Sequence, residues 1–262
     1  MTRSKGVALV TGSAQGIGRA IAIRLARDGF DVALNDLPVK NAVLEDLAAE
    51  LRRGEESEGS YSPRTCIVVG DVSKEDEVKR MIDTVVDELG SLDVMVANAG
   101  IAAVTDILTE SVENWERTMT VNVTSTFLCY KYSAMQMVKQ GRGGRIIGAS
   151  SVVGKQASAG SLSYSTSKFA VRGLTQAAAL QLGRNGITVN SYAPGAIETP
   201  MLAGLRAQDV KQDVRVQKAI DASAVGYIGQ PEYIASAVSY LASKEAHFIT
   251  GKLLIQHVPN AN

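Results

Sequence analysis

The chain has 262 residues, of which 45% are hydrophobic and 21% are charged, the composition of a globular protein that folds without disulfides or metal ions. Its 27 acidic and 27 basic residues give a formal net charge of zero, so the charge balance does not favour nucleic acid or an anionic membrane as a partner. There is no run of about eighteen apolar residues, and the first apolar segment is too short for a signal peptide, so a cytoplasmic location is expected.

Short β-branched and apolar runs alternate with longer segments of helical period along the whole chain. This alternation predicts a single α/β domain over residues 1–262, a doubly wound fold in which helices cover both faces of a seven-stranded parallel sheet. The predicted strands are Val7–Thr11, Asp31–Asp36, Thr65–Gly70, Asp93–Asn98, Arg145–Ser150, Thr188–Tyr192 and Leu253–Ile255. The predicted helices are Gly16–Asp28, Asn41–Arg53, Lys74–Leu89, Val112–Lys139, Tyr164–Arg184 and Glu232–Ala242.

Two segments fall outside this alternation. The polar tract Gly54–Ser60 is expected to be a solvated surface loop between a helix and a strand. The segment Met201–Gly229 mixes apolar residues with scattered charges, which predicts short helices that form a lid over a substrate cleft.

A glycine-rich turn follows the first strand directly and opens the first helix, with the sequence Thr11-Gly12-Ser13-Ala14-Gln15-Gly16-Ile17-Gly18. Glycines leave room for the backbone to approach a pyrophosphate, and the start of a helix offers free N–H groups and a partial positive charge. A strand before the turn and a helix after it favour a dinucleotide site of the Rossmann type over a simple tight turn.

Asp36 ends the second predicted strand, eighteen residues after Gly18. A carboxylate here can accept hydrogen bonds from the adenosine ribose and repel an added 2′-phosphate, so NAD is expected rather than NADP. The alternative is that Asp36 only caps the turn before Pro38.

Tyr164 and Lys168 lie four residues apart, which places both side chains on one face of a helix. A neighbouring ammonium lowers the pKa of a phenol, so Lys168 is expected to make Tyr164 a usable acid and base. Tyr240 and Lys244 have the same spacing, and we interpret them as the polar end of a packed helix because no other chemistry surrounds them.

The cysteines and histidines show no metal-ligand spacing, and no metal site is predicted. Cys66 and Cys129 lie in apolar segments and are expected to be buried, reduced thiols. His247 and His257 are isolated and are expected to serve packing or the surface.

Seven short motifs occur in the order typical of one enzyme family, and the chain resembles the classical short-chain dehydrogenases/reductases over essentially its whole length. Any one motif is weak, whereas all seven in register are very specific. They are Thr11–Gly18, Gly70–Val72, Asn98–Gly100, Asn122 within Val121–Val123, Ser150–Ser151, Tyr164–Lys168 and Pro194–Met201.

The resemblance implies a catalytic tetrad of Asn122, Ser151, Tyr164 and Lys168. Ser151 is preferred over Ser150 because thirteen residues separate it from the tyrosine, as in the family. Ser151 would hold a carbonyl oxygen while Tyr164 donates the proton, and Asn122 would hold a water that connects Lys168 to solvent. Asn122 alternatively only ties a helix to a strand.

The resemblance also implies the cofactor contacts. Asp71 and Val72 would contact the adenine, Lys168 the nicotinamide ribose, and Ile197 and Thr199 the carboxamide, although Asp71 alternatively caps the following helix. The full expected set is Gly12, Gln15, Gly16, Ile17, Gly18, Asp36, Asp71, Val72, Asn98, Ala99, Gly100, Tyr164, Lys168, Pro194, Gly195, Ile197 and Thr199.

Two places depart from the family pattern. Ala97 stands where an asparagine is common, a change expected to leave the strand end intact. The usual Asp-Gly-Gly after Ile255 is replaced by Gln256–Asn262, which leaves the tail's path open and admits the hypothesis that His257 reaches a neighbouring subunit's cleft.

The segment Ser163–Gly186 is most similar to NAD-linked acetoin and diacetyl reductases, although the same helix often forms a subunit contact in this family. The apolar lid and the loop Val152–Gly160 favour a small or medium neutral hydroxyketone, diketone or alcohol as substrate. The expected protein is an NAD-dependent oxidoreductase acting on CH–OH, assembled as a homotetramer or homodimer. The alternatives are a biosynthetic reductase acting on a larger cyclic or aromatic carbonyl, and a nucleotide-binding regulatory protein without turnover.

Overall fold

The computed structural model describes residues 4–53, 61–208, 216–217, 220–221 and 223–256. Seven parallel strands form one sheet in the order β3-β2-β1-β4-β5-β6-β7. The strands are β1 (Val7–Thr11), β2 (Asp31–Asn35), β3 (Thr65–Ile67), β4 (Val94–Ala97), β5 (Gly144–Ala149), β6 (Ile187–Pro194) and β7 (Leu253–Gln256). The predicted doubly wound parallel sheet is confirmed.

Helices cover both faces of this sheet. They are α1 (Gly16–Arg27), α2 (Asn41–Arg53), α3 (Glu75–Leu89), α4 (Val112–Met119), α5 (Ser125–Gln140), α6 (Leu162–Leu182), α7 (Pro200–Gln208) and α8 (Pro231–Ala242). The chain also forms three 3₁₀ turns, Pro38–Lys40, Val152–Gly154 and Gly183–Asn185, and a π turn, Thr120–Thr124.

The core lies in two layers, one on each face of the sheet. Ile21 and Leu25 of α1 pack with Leu47 of α2 and Val238 of α8 on one face. The other layer is formed by residues of α3, α5 and α6. Every residue of β1, β2 and β4 is buried, as expected of parallel strands covered on both sides, which is why these strands are continuous apolar runs rather than alternating ones.

The strand order reverses beside β1. The chain runs outward from β1 to β2 and β3, then returns to place β4 on the other side of β1. In open α/β sheets of this kind, ligands bind in the crevice at the carboxyl ends of the strands at this switch point. Gly12, Asn98 and Ser151 follow the carboxyl ends of β1, β4 and β5, so the sheet brings the predicted motifs to one edge.

The prediction of one regular helix over Val112–Lys139 is wrong in its middle. The helix widens at the π turn, where the Ser125 hydroxyl donates to the Val121 carbonyl and the Thr126 hydroxyl donates to the Asn122 carbonyl at 2.8 Å. Such hydroxyls compete with the backbone N–H groups for helix carbonyls. Periodicity does not report this competition, because all of these residues are compatible with a helix.

Two strand ends also differ from the prediction. β3 ends at Ile67 rather than Gly70, because the Asn35 side chain takes the Val68 carbonyl at 2.8 Å and the Gly70 carbonyl at 3.3 Å. β6 extends to Pro194, two residues beyond its expected end, because it pairs with β7 as far as Gln256. Ala97 pairs in register with Gly148, so the end of β4 is intact as expected.

Some expectations fall on residues outside the described part of the chain. These are the Gly54–Ser60 loop, residues 209–215, 218–219 and 222 of the lid, and the tail from His257 onward. Cys66 and Cys129 are buried and free, as predicted. Among the described residues, no helix is both long enough and apolar enough to span a membrane.

Candidate active site

A cleft of about 540 Å³ opens at the carboxyl edge of the sheet, above β1, β4, β5 and β6. Its lining includes Ser151 and every residue predicted to contact the cofactor. Asn122 is the one predicted site residue that does not line it. Residues from seven separate stretches of sequence therefore meet at one site.

The glycine-rich turn has no room for larger side chains. Gly12 and Gly16 have positive φ angles of 65° and 55°. A Cβ at Gly18 would lie 2.2 Å from the Gly12 carbonyl oxygen, and a Cβ at Gly12 would lie 3.0 Å from the Ala99 Cα. The backbone is therefore exposed to the cleft at the start of α1, and this cradle fits the pyrophosphate of a dinucleotide.

Asn98 joins three strand ends beneath this cradle. Its side-chain amide donates to the carbonyls of Thr11 at 2.9 Å and Gly12 at 3.2 Å, and its Oδ1 accepts a hydrogen bond from the Tyr192 hydroxyl at 2.8 Å. Tyr192 is 1% exposed and borders the cleft from β6. Sequence reasoning missed Tyr192, because its strand gives no local sign that its side chain crosses toward β4.

Asp36 faces the cleft with both carboxylate oxygens already bonded. Oδ2 accepts from the Ala14 N–H at 3.1 Å, and Oδ1 accepts from the Leu37 N–H at 2.9 Å. The carboxylate therefore ties the glycine-rich turn to β2 and caps the turn before Pro38, as the structural alternative expected, while its contact with an adenosine ribose stays a prediction. Lys40 reaches this rim as well, since its Nζ donates to the Gln15 Oε1 at 3.3 Å.

Asp71 is held at the adenine end of the predicted site by its own turn. Its Oδ1 accepts from the Ser73 N–H at 3.0 Å and from the Ser73 hydroxyl at 2.7 Å. The Asp71 N–H donates to the Glu77 Oε2 at 2.7 Å. Asp71 thus organises the entry to α3, as the structural alternative expected, while it and Val72 still border the cleft.

The segment after β6 closes the cleft opposite the glycine-rich turn. A Cβ at Gly16 would lie 3.4 Å from the Thr199 Cγ2. The Thr199 hydroxyl accepts from the Leu202 N–H at 3.3 Å and so caps α7, and Ile197 is bridged to Gly229. Met201, Leu202 and Leu205 then add apolar side chains to the lining, so the first residues of the predicted lid border the cleft.

Tyr164 and Lys168 meet in the cleft as their spacing predicts, but their pKa relation differs from the expectation. Enclosure of the phenol raises the pKa of Tyr164, and its hydrogen bond with Ser151 acts in the lowering direction. Lys168 is 4% exposed, and burial lowers the pKa of its ammonium to about 8. Its Nζ lies 5.4 Å from the centre of the Tyr164 ring and donates to the Ala149 carbonyl at 2.8 Å.

The expected lowering of the Tyr164 pKa is therefore wrong for the protein alone, because desolvation outweighs the hydrogen bond with Ser151. A phenol with a raised pKa stays protonated near neutral pH. It is suited to donate a proton to a ligand oxygen rather than to take one.

The two serines at the end of β5 have different partners. The Ser150 hydroxyl donates to the Lys168 carbonyl at 3.0 Å and is committed to holding α6. Ser151 interacts with Tyr164 through its hydroxyl. Its other contacts are long, 3.5 Å to the Pro194 carbonyl and 3.4 Å from the Val153 N–H, so Ser151 stays the predicted hydroxyl for a substrate oxygen.

Asn122 is fully buried behind the cleft rather than within it. Its Oδ1 accepts from the Ile101 N–H at 2.8 Å, and its Nδ2 donates to the Ile101 carbonyl at 2.9 Å and to the Ser167 hydroxyl at 3.0 Å. The side chain thus ties the loop after β4 to the helix that carries Tyr164. Both Nδ2 hydrogens are used in these bonds, and Oδ1 keeps one acceptor position, so the expected water contact stays a prediction.

Several residues that line the cleft were not predicted. Arg117 and Val121 lie four apart on one helical segment, and this spacing upstream of Asn122 is the signal that could have found them. Ile101 and Ala102 extend the Asn98–Gly100 motif along the chain. Leu37, Ala149 and Ser150 also border the cleft.

The loop expected to help select the substrate lies elsewhere in the described structure. Residues 157–160 border a second cavity of about 450 Å³, together with Thr105, Ile107 and Phe169. The second tyrosine–lysine pair is also outside the cleft, since Tyr240 is on the exposed end of α8.

Comparison with known proteins gives a consistent result. The sequence profile described as short chain dehydrogenase matches residues 6–210. The chain is 49% identical to a short-chain dehydrogenase/reductase of Armillaria gallica, over 95% of this chain and 93% of that protein. It is 38% identical to an L-2,3-butanediol dehydrogenase of Corynebacterium glutamicum, over 95% of this chain and 96% of that protein. A crystal structure of a short-chain type dehydrogenase/reductase from Mycobacterium marinum matches with a TM-score of 0.85 at 32% identity, covering 96% of this chain and 94% of that one.

Proposed function

The chain belongs to the short-chain dehydrogenase family, and we propose that it is an NAD(H)-dependent oxidoreductase that interconverts a secondary alcohol and a ketone. One observation carries this proposal: Ser151, Tyr164 and Lys168 meet in the same cleft as the glycine cradle that fits a pyrophosphate. A proton donor and a hydride donor are the two things that ketone reduction needs.

The bound nicotinamide would supply or accept the hydride, and the protein's residues would manage the oxygen. Ser151 donates a hydrogen bond to the carbonyl oxygen and fixes its position, while Tyr164 donates its phenolic proton to the same oxygen. Burial raises the pKa of Tyr164, so the phenol holds its proton near neutral pH, the form that ketone reduction needs.

Lys168 supports the phenol and the cofactor. Its Nζ is fixed by the Ala149 carbonyl at 2.8 Å, at the junction between β5 and α6. From this position the ammonium would hold the nicotinamide ribose by a hydrogen bond. Because burial lowers the pKa of Lys168 to about 8, this cation is lost as the pH rises above that value.

The assignment of NAD rests on Asp36. A carboxylate fixed by the Ala14 and Leu37 N–H groups presents a negative charge where a 2′-phosphate would lie. No salt bridge between Lys40 and Asp36 offsets this charge within the described structure.

The lining supports a small or medium neutral substrate such as a hydroxyketone, diketone or diol. Met201, Leu202 and Leu205 are apolar and border the cleft beside Pro194. The similarity to the butanediol dehydrogenase of Corynebacterium glutamicum supports the same class.

The decisive assay follows NADH consumption with diacetyl, acetoin, cyclic ketones and quinones, with NADPH as the control cofactor. We expect turnover of the small diketones or hydroxyketones with NADH. Turnover confined to cyclic or aromatic carbonyls would favour a biosynthetic role instead. Absence of turnover with every carbonyl, despite NADH binding, would favour a regulatory protein.

Tyr164→Phe tests the mechanism. It keeps the ring and removes the proton donor, so kcat should fall by at least about a hundredfold while NADH binding persists. Retained kcat in this variant would exclude Tyr164 as the acid.

We also propose a homotetramer in the cytoplasm. Exposed apolar side chains on α5 and α6 support subunit contact, namely Phe127, Met135, Phe169 and Leu180. The free thiols of Cys66 and Cys129 agree with a reducing compartment.

A further inference from the structure

The helices that carry the site residues run side by side in a constant register. Asn122 donates to the Ser167 hydroxyl at 3.0 Å, across a sequence separation of 45. Farther along, the hydroxyls of Tyr130 and Thr175 lie 3.0 Å apart, again with a separation of 45. The segment from α4 to α5 and the helix α6 are thus joined by a seam of paired polar residues at one fixed offset.

Thr118 and Ser163 are separated by the same 45 residues and precede Asn122 and Ser167 by four residues each. Thr118 is 1% exposed and Ser163 is 0% exposed. The structure describes every residue of α4, and Thr118 is the buried one among them. α4 packs against α6. Both hydroxyls are therefore buried on helices that pack together, at the place where the same offset would continue the seam.

Neither hydroxyl has a hydrogen-bond partner within the described part of the protein. Other hydroxyls in these helices do not share this state: Thr126, Ser133 and Thr175 donate to the carbonyl four residues earlier, at 2.8, 2.6 and 2.8 Å. A fully buried hydroxyl without a hydrogen-bond partner is costly and rare. Because two such hydroxyls lie on helices that pack together, one partner shared between them would satisfy both.

We propose that Thr118 and Ser163 hold a buried water molecule between α4 and α6, and that this water fixes the start of α6. Each hydroxyl can donate a hydrogen bond to a bridging water or accept one from it. Buried waters typically form hydrogen bonds with polar groups that have no other partner. The inference deepens the proposed function, on which its catalytic part rests.

The seam acts on the site through chain neighbours. Ser163 directly precedes Tyr164, and Ser167 directly precedes Lys168. The water site and the Asn122 contact would therefore set the height and rotation of the two residues that manage the proton. Thr118 and Ser163 are positioning residues, since neither lines the cleft.

The direct test is a crystal structure of the protein at a resolution that shows ordered water. We expect one water within hydrogen-bond distance of both the Thr118 and the Ser163 hydroxyls. A direct bond between the two hydroxyls, or a seam without water, would overturn the proposal.

A double-mutant cycle tests the same site in solution. Thr118→Val and Ser163→Ala should each lower the melting temperature by about 2–4 °C, because each leaves the water with one partner lost. The double variant should lose less than the sum, because it removes both partners of the water. Additive losses would contradict a shared water.

Kinetics separate positioning from simple stability. We expect Thr118→Val and Ser163→Ala to lower kcat by about three- to tenfold with little change in the KM for NADH, because Tyr164 is displaced. Thr118→Ser should keep the hydroxyl and restore kcat. Thr175→Val is the matched control, since it removes a seam bond away from the cleft and should lower stability alone.

Unchanged kcat in both single variants would refute the positioning role. The structural and melting results do not depend on turnover. If the unmodified protein reduced no carbonyl while the water was present, the proposed function would fail and the water site would stand.

Discussion

Lys168 places a cation at a position that is shielded from solvent. It is 4% exposed, its Nζ donates to the Ala149 carbonyl, and burial lowers its pKa to about 8. A lysine pKa lowered from 10.5 to about 8 corresponds to roughly 3 kcal/mol of unfavourable interaction for the charged form. Burying this lysine thus opposes folding at neutral pH, which is a common feature of functional sites.

The cost of this charge should depend on pH. Between pH 8 and 10.5 the unfolded chain binds the Lys168 proton and the folded protein has released it, so this lysine makes the free energy of unfolding rise with pH across that window. Below pH 8 both states hold the proton, and the full penalty is present. Lys168→Met lacks the penalty at every pH.

The measurement is urea unfolding of both proteins at intervals from pH 7 to 10. The advantage of Lys168→Met over the unmodified protein should shrink as the pH rises through 8. The buried tyrosines and cysteines titrate in both proteins and cancel in the difference. A difference that stays constant with pH would show that Lys168 keeps its ordinary pKa in the folded protein.

Asp36 allows a matched test of cofactor preference. Asp36→Asn removes the charge but retains an acceptor oxygen for the Ala14 or Leu37 N–H. The unmodified protein should prefer NADH, and the preference should fall at least about tenfold in the variant, because repulsion of the 2′-phosphate is lost.

Lys40→Ala is the control for this change, since Lys40 contacts Gln15 at the same rim. It should lower the affinity for any 2′-phosphate without reversing the preference for NADH. The ratio of kcat/KM for NADH and NADPH reports both variants. A preference for NADPH in the unmodified protein would contradict the assignment.

Among single residues, the sequence predicted the site residues that belong to a local motif. Gly12 and Tyr164 belong to such motifs, because a backbone approach or a proton donor constrains the neighbouring residues. Tyr192 reaches the cleft only through packing between distant segments, which no local pattern reports. The side-chain bonds of Asn122 were open for the same reason.

Among the elements, the turn between β1 and α1 is the most constrained. A Cβ at Gly18 would lie 2.2 Å from the Gly12 carbonyl oxygen and 2.5 Å from the Asn98 Nδ2, and neither neighbour can move without breaking the strand ends. Gly204 in α7 is also a helical glycine, but a Cβ there would meet nothing within 4 Å.

Alanine at these two glycines should therefore have opposite effects. Gly18→Ala should abolish NADH binding and lower the free energy of unfolding by about 2 kcal/mol or more, by steric clash with the turn. Gly204→Ala should raise it by roughly 0.5–1 kcal/mol, because alanine loses less backbone entropy in a helix. Calorimetry and NADH titration measure both. Normal NADH binding by Gly18→Ala would exclude close backbone contact with the cofactor.

The boundaries of helices were predicted correctly where a glycine with a special backbone conformation sets them. The start of α1 follows from the glycine turn, and the end of α3 follows from Gly90, which has a φ of 92°. The π turn at Thr120–Thr124 was not predictable, because it depends on which carbonyls the Ser125 and Thr126 hydroxyls take. Periodicity predicts that a helix exists. Competition between side-chain and backbone hydrogen bonds determines where the helix departs from regular geometry.

For the whole molecule, alternation of strands and helices predicted the parallel sheet, because right-handed crossovers leave few arrangements. The location of the site at the strand ends followed from the same rule. The lid was predicted as short helices over a cleft, and its first residues, with Met201 and Leu205, lie on α7 and border the cleft.

An apolar face remains on the outside of the molecule. Phe169, Gly173 and Leu180 are exposed along one side of α6, and Phe127 and Met135 are exposed on the neighbouring α5. Large apolar patches on a folded surface mark contact with another chain. In a closed assembly, a twofold axis through this face would bury the same residues on both subunits of the contact.

Leu180→Glu should therefore split the assembly. Leu180 is 88% exposed and Leu108, on the loop before α4, is 90% exposed, so Leu108→Glu is a control with the same change at equal exposure. Burying an unpaired carboxylate costs several kcal/mol at each copy of a contact, whereas a carboxylate on a free surface costs little. Sedimentation should show a tetramer for the unmodified protein and for Leu108→Glu, and a smaller species for Leu180→Glu. An unchanged mass for Leu180→Glu would place the subunit contact on another face, and a monomeric unmodified protein would contradict the assembly itself.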